Sequence, residues 1–274
     1  MVTEDPRVRE SVVRAVLREA AEIPFDKTPV HIGMEIHRIV RRIAGDLDPY
    51  SGIKSTYNEK SLHLYPYMKD LVSRSRDRLE TAIRIAAAGN MIDFGISPVG
   101  KEIELRRILD EAMAMPFAVN DLGELKQMLK DGHRILYIAD NAGEIVFDRV
   151  LIEEISDYRN RVTLVVRGHA VLNDATLRDA EQTGIVDSVR VIDNGSDAPG
   201  TILETCSRRF LEEYRESDLL ISKGQGNYET LSDCGKSCCF ILRAKCPVIA
   251  DHFGVDVGCA IVKMVKEKSG FSCL

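Results

Sequence analysis

Oxygen-bearing side chains stand where a metal ion could bind. The apolar run 135–139 is followed at once by Asp140 and Asn141. A carboxylate beside an amide oxygen is a pair of hard donors, of the kind that Mg²⁺ and Mn²⁺ prefer. Gly143 lets the chain turn sharply, and Glu144 stands on the first turn of the helix predicted to follow. The pair indicates a metal site; the alternative is that Asp140 only caps this helix.

An apolar strand, a polar turn and a helix form the first half of an α/β unit. From residue 134 on, short runs rich in Ile, Val and Leu alternate with helical patterns, as buried parallel strands do. The predicted strands are 135–139, 163–167, 188–192, 219–222, 239–242 and a shorter sixth, 248–250. The predicted helices are 145–157, 174–183 and 201–216. Residues 131–274 are therefore predicted to form a three-layer α/β/α, Rossmann-like, metal-binding catalytic domain.

The first 130 residues show helical periodicity and no strand pattern. Apolar residues recur at helical spacing in six segments: 8–20, 32–43, 62–72, 79–88, 103–113 and 122–129. Residues 1–130 are therefore predicted to form a helical N-terminal domain that caps the α/β domain.

Each predicted strand ends in a polar segment that contains glycine. In open α/β sheets, ligands bind at the carboxyl ends of the strands, so side chains that follow different strands can meet there. The side chains expected at this edge are Asp140, Asn141, Arg167, Asp174, Asn194 and Lys223.

Two of these residues extend the metal hypothesis. Asp174 would add a second carboxylate to Asp140 and Asn141, and its alternative is the N-cap of a helix at 175–181. Lys223 is a positive charge beside glycine-rich backbone whose amides can hold phosphate oxygens. Its alternative is a solvated lysine in a turn.

Together, four motifs resemble the damage-control phosphatase family, whose members are metal-dependent phosphatases. In chain order they are Gly89-Asn90-x-x-Asp93 and the segments 140–144, 173–176 and 223–229. The resemblance covers most of the chain from about residue 30 on. It implies a helical first half and an α/β second half.

The resemblance also implies roles for individual residues. The implied metal ligands are Asp140, Asn141 and Asp174. The implied substrate- and phosphate-binding residues are Glu144, Arg167, Lys223, Gly224, Gly226 and Asn227. The implied catalytic residues are Asp140, Lys223, Asn90 and Asp93. The cofactor would be a divalent metal (Mg²⁺, Mn²⁺, Ni²⁺ or Co²⁺), and the partner would be a small phosphorylated metabolite.

The cysteines depart from the family pattern. Archaeal-type members usually open with Cys-x-x-Cys, whereas here no cysteine precedes Cys206. The later cysteines contain no Cys-x-x-Cys pair and no interleaved histidine, which does not favour zinc. Cys238 and Cys239 open an apolar run, so we expect reduced thiols packed in a strand.

The composition argues against some partners. Lys+Arg 37 against Asp+Glu 43 gives a net charge of −6, which opposes general affinity for nucleic acid. No apolar stretch approaches the length of a membrane span, and the first residues lack a signal-peptide core. A cytoplasmic protein without a membrane partner is expected.

The sequence thus predicts a divalent-metal-dependent phosphatase that hydrolyses the phosphate monoesters of small metabolites, with a role in metabolite damage control. Attack by water is favoured over an aspartyl-phosphate on Asp140, because enzymes of the latter kind place a second aspartate where this chain has Ala142. One rival is a SAM-dependent carboxyl methyltransferase, although Arg167 stands where that class has an acidic residue. Another rival is a non-catalytic protein that binds a phosphorylated metabolite.

Overall fold

Seven strands form one mixed sheet. The computed structural model describes residues 5–24, 26–45, 47–91, 102–130, 133–156 and 161–267. The strands are β1 (Phe117–Asn120), β2 (Arg134–Ile138), β3 (Arg161–Val166), β4 (Arg190–Asp193), β5 (Leu219–Lys223), β6 (Cys238–Arg243) and β7 (Ala260–Val265). Their order is β1-β7-β6-β5-β2-β3-β4, with every neighbouring pair parallel except β6 and β7.

The order in which the strands are added to the sheet reverses at β2. The chain runs from β2 through β3 to β4 at one edge, then returns to the other side of β2 as β5 and continues to β6. The boundary between β2 and β5 is therefore a topological switch point, the place where open α/β sheets bind ligands.

Helices cover both faces of this sheet. They are α1 (Pro6–Glu22), α2 (Pro29–Ala44), α3 (Ser51–Arg74), α4 (Arg78–Met91), α5 (Glu102–Ala114), α6 (Leu122–Leu129), α7 (Glu144–Ser156), α8 (Leu177–Gln182), α9 (Arg208–Glu216), α10 (Gln225–Leu231) and α11 (Pro247–Phe253). Within the described ranges, no helix is long and apolar enough to cross a membrane.

Alternation along the strands separates two hydrophobic cores. Ile135 and Tyr137 of β2 face one core, which contains apolar residues of α3 to α8. Leu136 and Ile138 face the other, which contains apolar residues of α9, α10 and α11. The predicted α/β architecture, with helices on both faces of a mostly parallel sheet, is confirmed.

The helical first half is not wholly helical, and the prediction is wrong at Phe117–Asn120, which forms β1. The apolar run of this strand is only three residues long, 117–119, which is too short to distinguish a strand by its pattern, and only Phe117 of its four residues is buried. It pairs with β7, another strand absent from the prediction. The sheet thus begins before residue 130, and α3 and α4 share the core of α7.

The predicted strand at 248–250 is also wrong, because these residues lie in α11. Pro247 occupies the first turn, where its fixed φ suits a helix. Gly254 ends the helix in a left-handed conformation, with φ of 64°. A run as short as Val-Ile-Ala does not distinguish a strand from a helix by periodicity.

Cys238 and Cys239 lie at the start of β6 and are fully buried free thiols. Their side chains face opposite cores, as successive residues of a strand do. The expectation of reduced thiols packed in a strand is confirmed.

Candidate metal and phosphate site

Asp140 and Asn141 lie directly after β2, at the switch point. Ile138 is level with Ser222 of the neighbouring β5, so Gly224 comes beside Asp140. Gly224 has a φ of 81°, and a Cβ on it would stand 2.0 Å from Asp140 Oδ2. Only glycine leaves room for the carboxylate in this place.

Asp174 is brought to Asn141 by backbone pairing. Two hydrogen bonds, of 2.8 and 2.9 Å, join the segment 140–142 to the segment 173–175, and Asn141 faces Asp174 across this antiparallel bridge. Leu172, in the preceding turn, has a φ of 46°, an uncommon conformation for a leucine. The pairing therefore holds the two aspartate segments together against local backbone strain.

Neither aspartate acts as a helix cap. The helix after Asp174 begins only at α8, and its N-cap is Thr176. Asp140 Oδ2 accepts its hydrogen bonds from the side-chain amides of Asn90 (3.2 Å) and Asn141 (2.8 Å) rather than from backbone N–H groups. The capping alternatives for both residues are wrong.

Three oxygens remain available to a cation. The Oδ1 atoms of Asp140, Asn141 and Asp174 accept no hydrogen bond from any residue that the structure describes. Carboxylate and amide oxygens are the donors that Mg²⁺ and Mn²⁺ prefer. The donor set therefore fits a divalent ion.

The pKa values of the two aspartates also favour a bound cation. Burial, together with the negative charges of Glu144 and Asp174, raises the pKa of Asp140 to about 7. Burial also raises the pKa of Asp174, although the Arg167 guanidinium opposes the change. Carboxylates with raised pKa values lack compensating positive charge, which a bound cation would supply.

Lys223 is buried beneath the site. Its ammonium donates to Glu144 Oε1 (2.6 Å), Asp148 Oδ1 (2.6 Å) and the carbonyl of Ala86 (2.8 Å). Burial lowers the pKa of Lys223, but the two carboxylates outweigh it and raise that pKa above the usual value. The alternative of a solvated lysine is wrong. Since all three N–H donors are used, the predicted phosphate contact would require the exchange of one of these bonds.

Glu144 orients the amide of Asn141. Glu144 Oε2 accepts hydrogen bonds from Asn141 Nδ2 (3.1 Å) and from Asn90 Nδ2 (3.2 Å). Burial raises the pKa of Glu144, but Lys223 outweighs burial and holds it below its usual value. The amide nitrogen of Asn141 thus donates to two carboxylates, those of Asp140 and Glu144, and its Oδ1, to which no described residue donates, is left for a ligand.

Asn90 reaches the site from the helical half of the chain. It lies in α4, is buried, and its Oδ1 accepts a hydrogen bond from the backbone N–H of Arg243 (3.0 Å). This bond fixes the amide that donates to Asp140. Its predicted companion, Asp93, lies outside the described residues.

Arg167 lies against Asp174 and is almost fully buried. Its Nε donates to Asp174 Oδ2 (2.7 Å), and its two Nη atoms donate to Thr201 and Asn227. Asn227 in turn donates to the backbone carbonyls of Ala139 and Lys223. Arg167 and Asn227, both predicted at the substrate site, therefore contact each other beside the second carboxylate.

A cavity of about 470 Å³ opens beside Arg167. Its lining includes the cationic side chains Arg41 and Arg178, together with His169 and the exposed apolar side chain of Leu177. A volume of this order suits a small molecule.

Two residues expected near the site have packing roles. A Cβ on Gly226 would stand 2.2 Å from the carbonyl oxygen of Pro199, so this glycine lets α10 approach the loop after β4. Asn194 is buried, and its Oδ1 accepts from the backbone N–H groups of Gly168 and Ser196. Both residues shape loops around the site.

The structure adds polar residues that the sequence interpretation did not single out. Asp148 follows Glu144 by four residues on α7, so helical spacing was a usable signal for it. Thr201, which contacts Arg167, and Asn58, a buried amide on α3, carry no local signal.

The fold and the site together define an α/β protein with a candidate metal site at the switch point of its sheet. Residues 1–261 match the family described as the damage-control phosphatase ARMT1-like domain. The chain belongs to this family.

Similar proteins come from archaea. The chain is 34% identical over 274 residues to a damage-control phosphatase of Archaeoglobus fulgidus, with 97% of this chain and 93% of that protein covered. It is 36% identical over 266 residues to an uncharacterized protein of Methanocaldococcus jannaschii, with 94% and 87% covered. The crystal structure of a DUF89 family protein from Pyrococcus horikoshii superposes with a TM-score of 0.89 at 29% identity, covering 97% of this chain and 92% of that one.

Proposed function

We propose that the protein is a divalent-metal-dependent phosphatase that hydrolyses monoesters of small phosphorylated metabolites. The observation that carries the proposal is the convergence of Asp140, Asn141 and Asp174 at the switch point of the sheet, each with an Oδ1 to which no residue in the described part of the chain donates. Membership of a damage-control phosphatase family supports the reaction class.

These three residues would hold the ion, which when bound would polarise the phosphoryl group for attack by water. Arg167 neutralises phosphoryl oxygens, since its described contacts use three of its five N–H groups. Glu144 and Lys223 keep Asn141 oriented during the reaction.

The organic part of the substrate occupies the cavity beside Arg167. The volume of about 470 Å³ favours a small metabolite over a phosphoprotein, because the metabolite can be enclosed. Its wall carries both cationic side chains, Arg41 and Arg178, and the carboxylate of Asp48, which favours a polar compound that bears hydroxyl groups.

The test is release of phosphate from a small aryl phosphate by the purified protein. We expect activity with Mn²⁺ or Mg²⁺, its loss after exhaustive chelation with EDTA, and its return when the metal is restored. Phosphate release that survives chelation would contradict the metal mechanism. Metal binding without turnover of any phosphate monoester in a panel would favour the non-catalytic rival, and methyl transfer from SAM would favour the methyltransferase.

A further inference from the structure

A buried amide on α3 lies between the two segments that carry the candidate metal ligands. Asn58 is fully buried. Its Oδ1 accepts a hydrogen bond from the backbone N–H of Gly143 (2.7 Å), and its Nδ2 donates to Asp179 Oδ1 (2.9 Å). One side chain thus contacts both regions.

The Gly143 bond fixes the first segment. Gly143 has a φ of 76° and follows Asp140 and Asn141 in the turn that leads into α7. A Cβ on Gly143 would stand 3.0 Å from Tyr57 Cβ, so α3 lies tightly against this turn. The position of Asn58 therefore determines where the turn lies relative to α3.

The Asp179 bond fixes the second segment. Asp179 Oδ2 accepts from the backbone N–H (2.9 Å) and the hydroxyl (2.7 Å) of Thr176, two residues after Asp174. This capping box starts α8. Lys54, which is 2% exposed, pairs with Asp179 at 3.2 Å and balances its buried charge. The chain leading from Asp174 is therefore anchored at Asp179.

We propose that Asn58 is a positioning residue that sets the spacing between the Asp140–Asn141 turn and Asp174, and so the affinity for a divalent ion. The inference rests on the proposed function, since it assigns the ion to the same three residues. Without the amide, Gly143 N–H and Asp179 Oδ1 each lose a buried partner, and both segments can relax independently. A small displacement of one ligand segment is enough to weaken a metal site.

The experiment compares Asn58→Ala with two controls. Val72→Ala removes a buried side chain from the same helix outside this network, so it controls for loss of stability. Gln182→Ala removes the second acceptor of Asn58 Nδ2, which lies in neither ligand segment. For each protein, melting temperatures are measured without metal and across a Mn²⁺ titration, which yields the Kd for Mn²⁺.

We expect Asn58→Ala to raise the Kd for Mn²⁺ by about tenfold or more, as loss of an outer-shell partner does. The controls should keep the wild-type Kd, even if Val72→Ala melts as early as Asn58→Ala. Amide hydrogen exchange in the metal-free proteins should speed up at residues 140–146 and 174–177 in Asn58→Ala alone. If Asn58→Ala does not fold, Asn58→Asp serves instead, since it keeps the acceptor for Gly143 but faces Asp179 with a second carboxylate.

An Asn58 variant with the Kd and the exchange pattern of Val72→Ala would overturn the positioning role and leave the proposed function intact. A wild-type protein with no Mn²⁺-induced shift would contradict the proposed function, and the positioning role with it. The two failures are distinguished by whether the wild type responds to the metal.

Discussion

At the scale of single residues, the site is a set of carboxylates held close together without enough positive charge. Asp140 and Asp174 both have raised pKa values, whereas Glu144, next to Lys223, has a lowered one. The two aspartates are thus the groups that a cation would stabilise most, which gives them a role beyond the turns in which they lie.

Asp140→Asn and Asp174→Asn should each abolish the Mn²⁺-induced rise in melting temperature and reduce phosphate release by more than about 100-fold. Without metal, Asp140→Asn should melt at or slightly above the wild-type temperature, because repulsion with Glu144 is relieved. Asp256→Asn, an exposed carboxylate, is the matched control and should leave both readouts unchanged. Retention of the metal shift in either site variant would place the ion elsewhere.

For Lys223, the residue type predicts an anionic partner but does not identify that partner. Lysine beside glycines predicts an anion-binding group, and the structure does place it against anions. Those anions are Glu144 and Asp148 of the protein itself. Helical spacing places Asp148 on the same face of α7 as Glu144, but the contact of that face with Lys223 depends on tertiary packing, which no local pattern predicts.

Lys223→Met should destabilise the metal-free protein by about 3–5 kcal/mol, because it leaves two buried carboxylates without their cation. Lys266→Met, whose side chain is 76% exposed, should leave stability unchanged. Denaturant unfolding of the three proteins measures the difference. Equal stability of Lys223→Met and wild type would mean that the buried cluster is not ionised as described.

At the scale of the elements, the position of the site follows from the reversal of strand order between β2 and β5. The strands β2, β3, β5 and β6 were predictable because each is a largely buried, near-continuous apolar run. β4 was predicted at 188–192 although only Ile192 of its four residues is buried. β1 was not, since it is four residues long and pairs with a segment more than 140 residues away. β7 had a usable signal that the prediction missed, because its apolar run 260–265 is interrupted only by Lys263. Residues 248–250, another short apolar run, lie in α11 rather than in a strand.

Gly224 directly follows β5 and lies against Asp140, and its replacement can be compared with that of Gly254, which also has a positive φ. Gly224→Ala would place a Cβ 2.0 Å from Asp140 Oδ2, whereas Gly254→Ala, at φ of 64°, has nothing within 4 Å. Gly254→Ala imposes the strain of a left-handed alanine, about 1 kcal/mol. Gly224, at φ of 81° and ψ of 162°, lies in a region that is essentially restricted to glycine, so Gly224→Ala costs about 1–3 kcal/mol, and the Kd for Mn²⁺ rather than the stability carries the comparison. Only Gly224→Ala should also weaken Mn²⁺ binding in the titration. Equal effects on the Kd for Mn²⁺ would show that the close approach does not shape the site.

At the scale of the whole molecule, the N-terminal helices are joined to the sheet by polar as well as apolar contacts. Asp197, in the loop after β4, accepts two hydrogen bonds from Arg38 and one from Arg41 of α2. Val30 and Met34 of the same helix pack on Ala198 and Ile202. A helical first half was predictable from its periodicity, but its attachment through Asp197 was not, since the partners are more than 150 residues apart.

This attachment should make stability depend on pH. Burial raises the pKa of Asp197, but Arg38 and Arg41 outweigh it, so that the folded-state pKa is below the usual value. The ionised carboxylate therefore stabilises the fold fully above its unfolded pKa of about 3.9, and the contribution disappears as pH falls through the folded value. Asp197→Asn should melt earlier than wild type at neutral pH, with a gap that closes in acid. A gap that is constant with pH, or equal to that of exposed Asp251→Asn, would contradict this account.

The central claim is that Asp140, Asn141 and Asp174 hold a divalent ion. The most direct measurement is a crystal structure of the protein soaked in Mn²⁺, with an anomalous difference map recorded at the manganese absorption edge. We predict one strong peak at about 2.1 Å from Oδ1 of all three residues. A map with its manganese peak on other residues, or with none at this switch point, would contradict the claim.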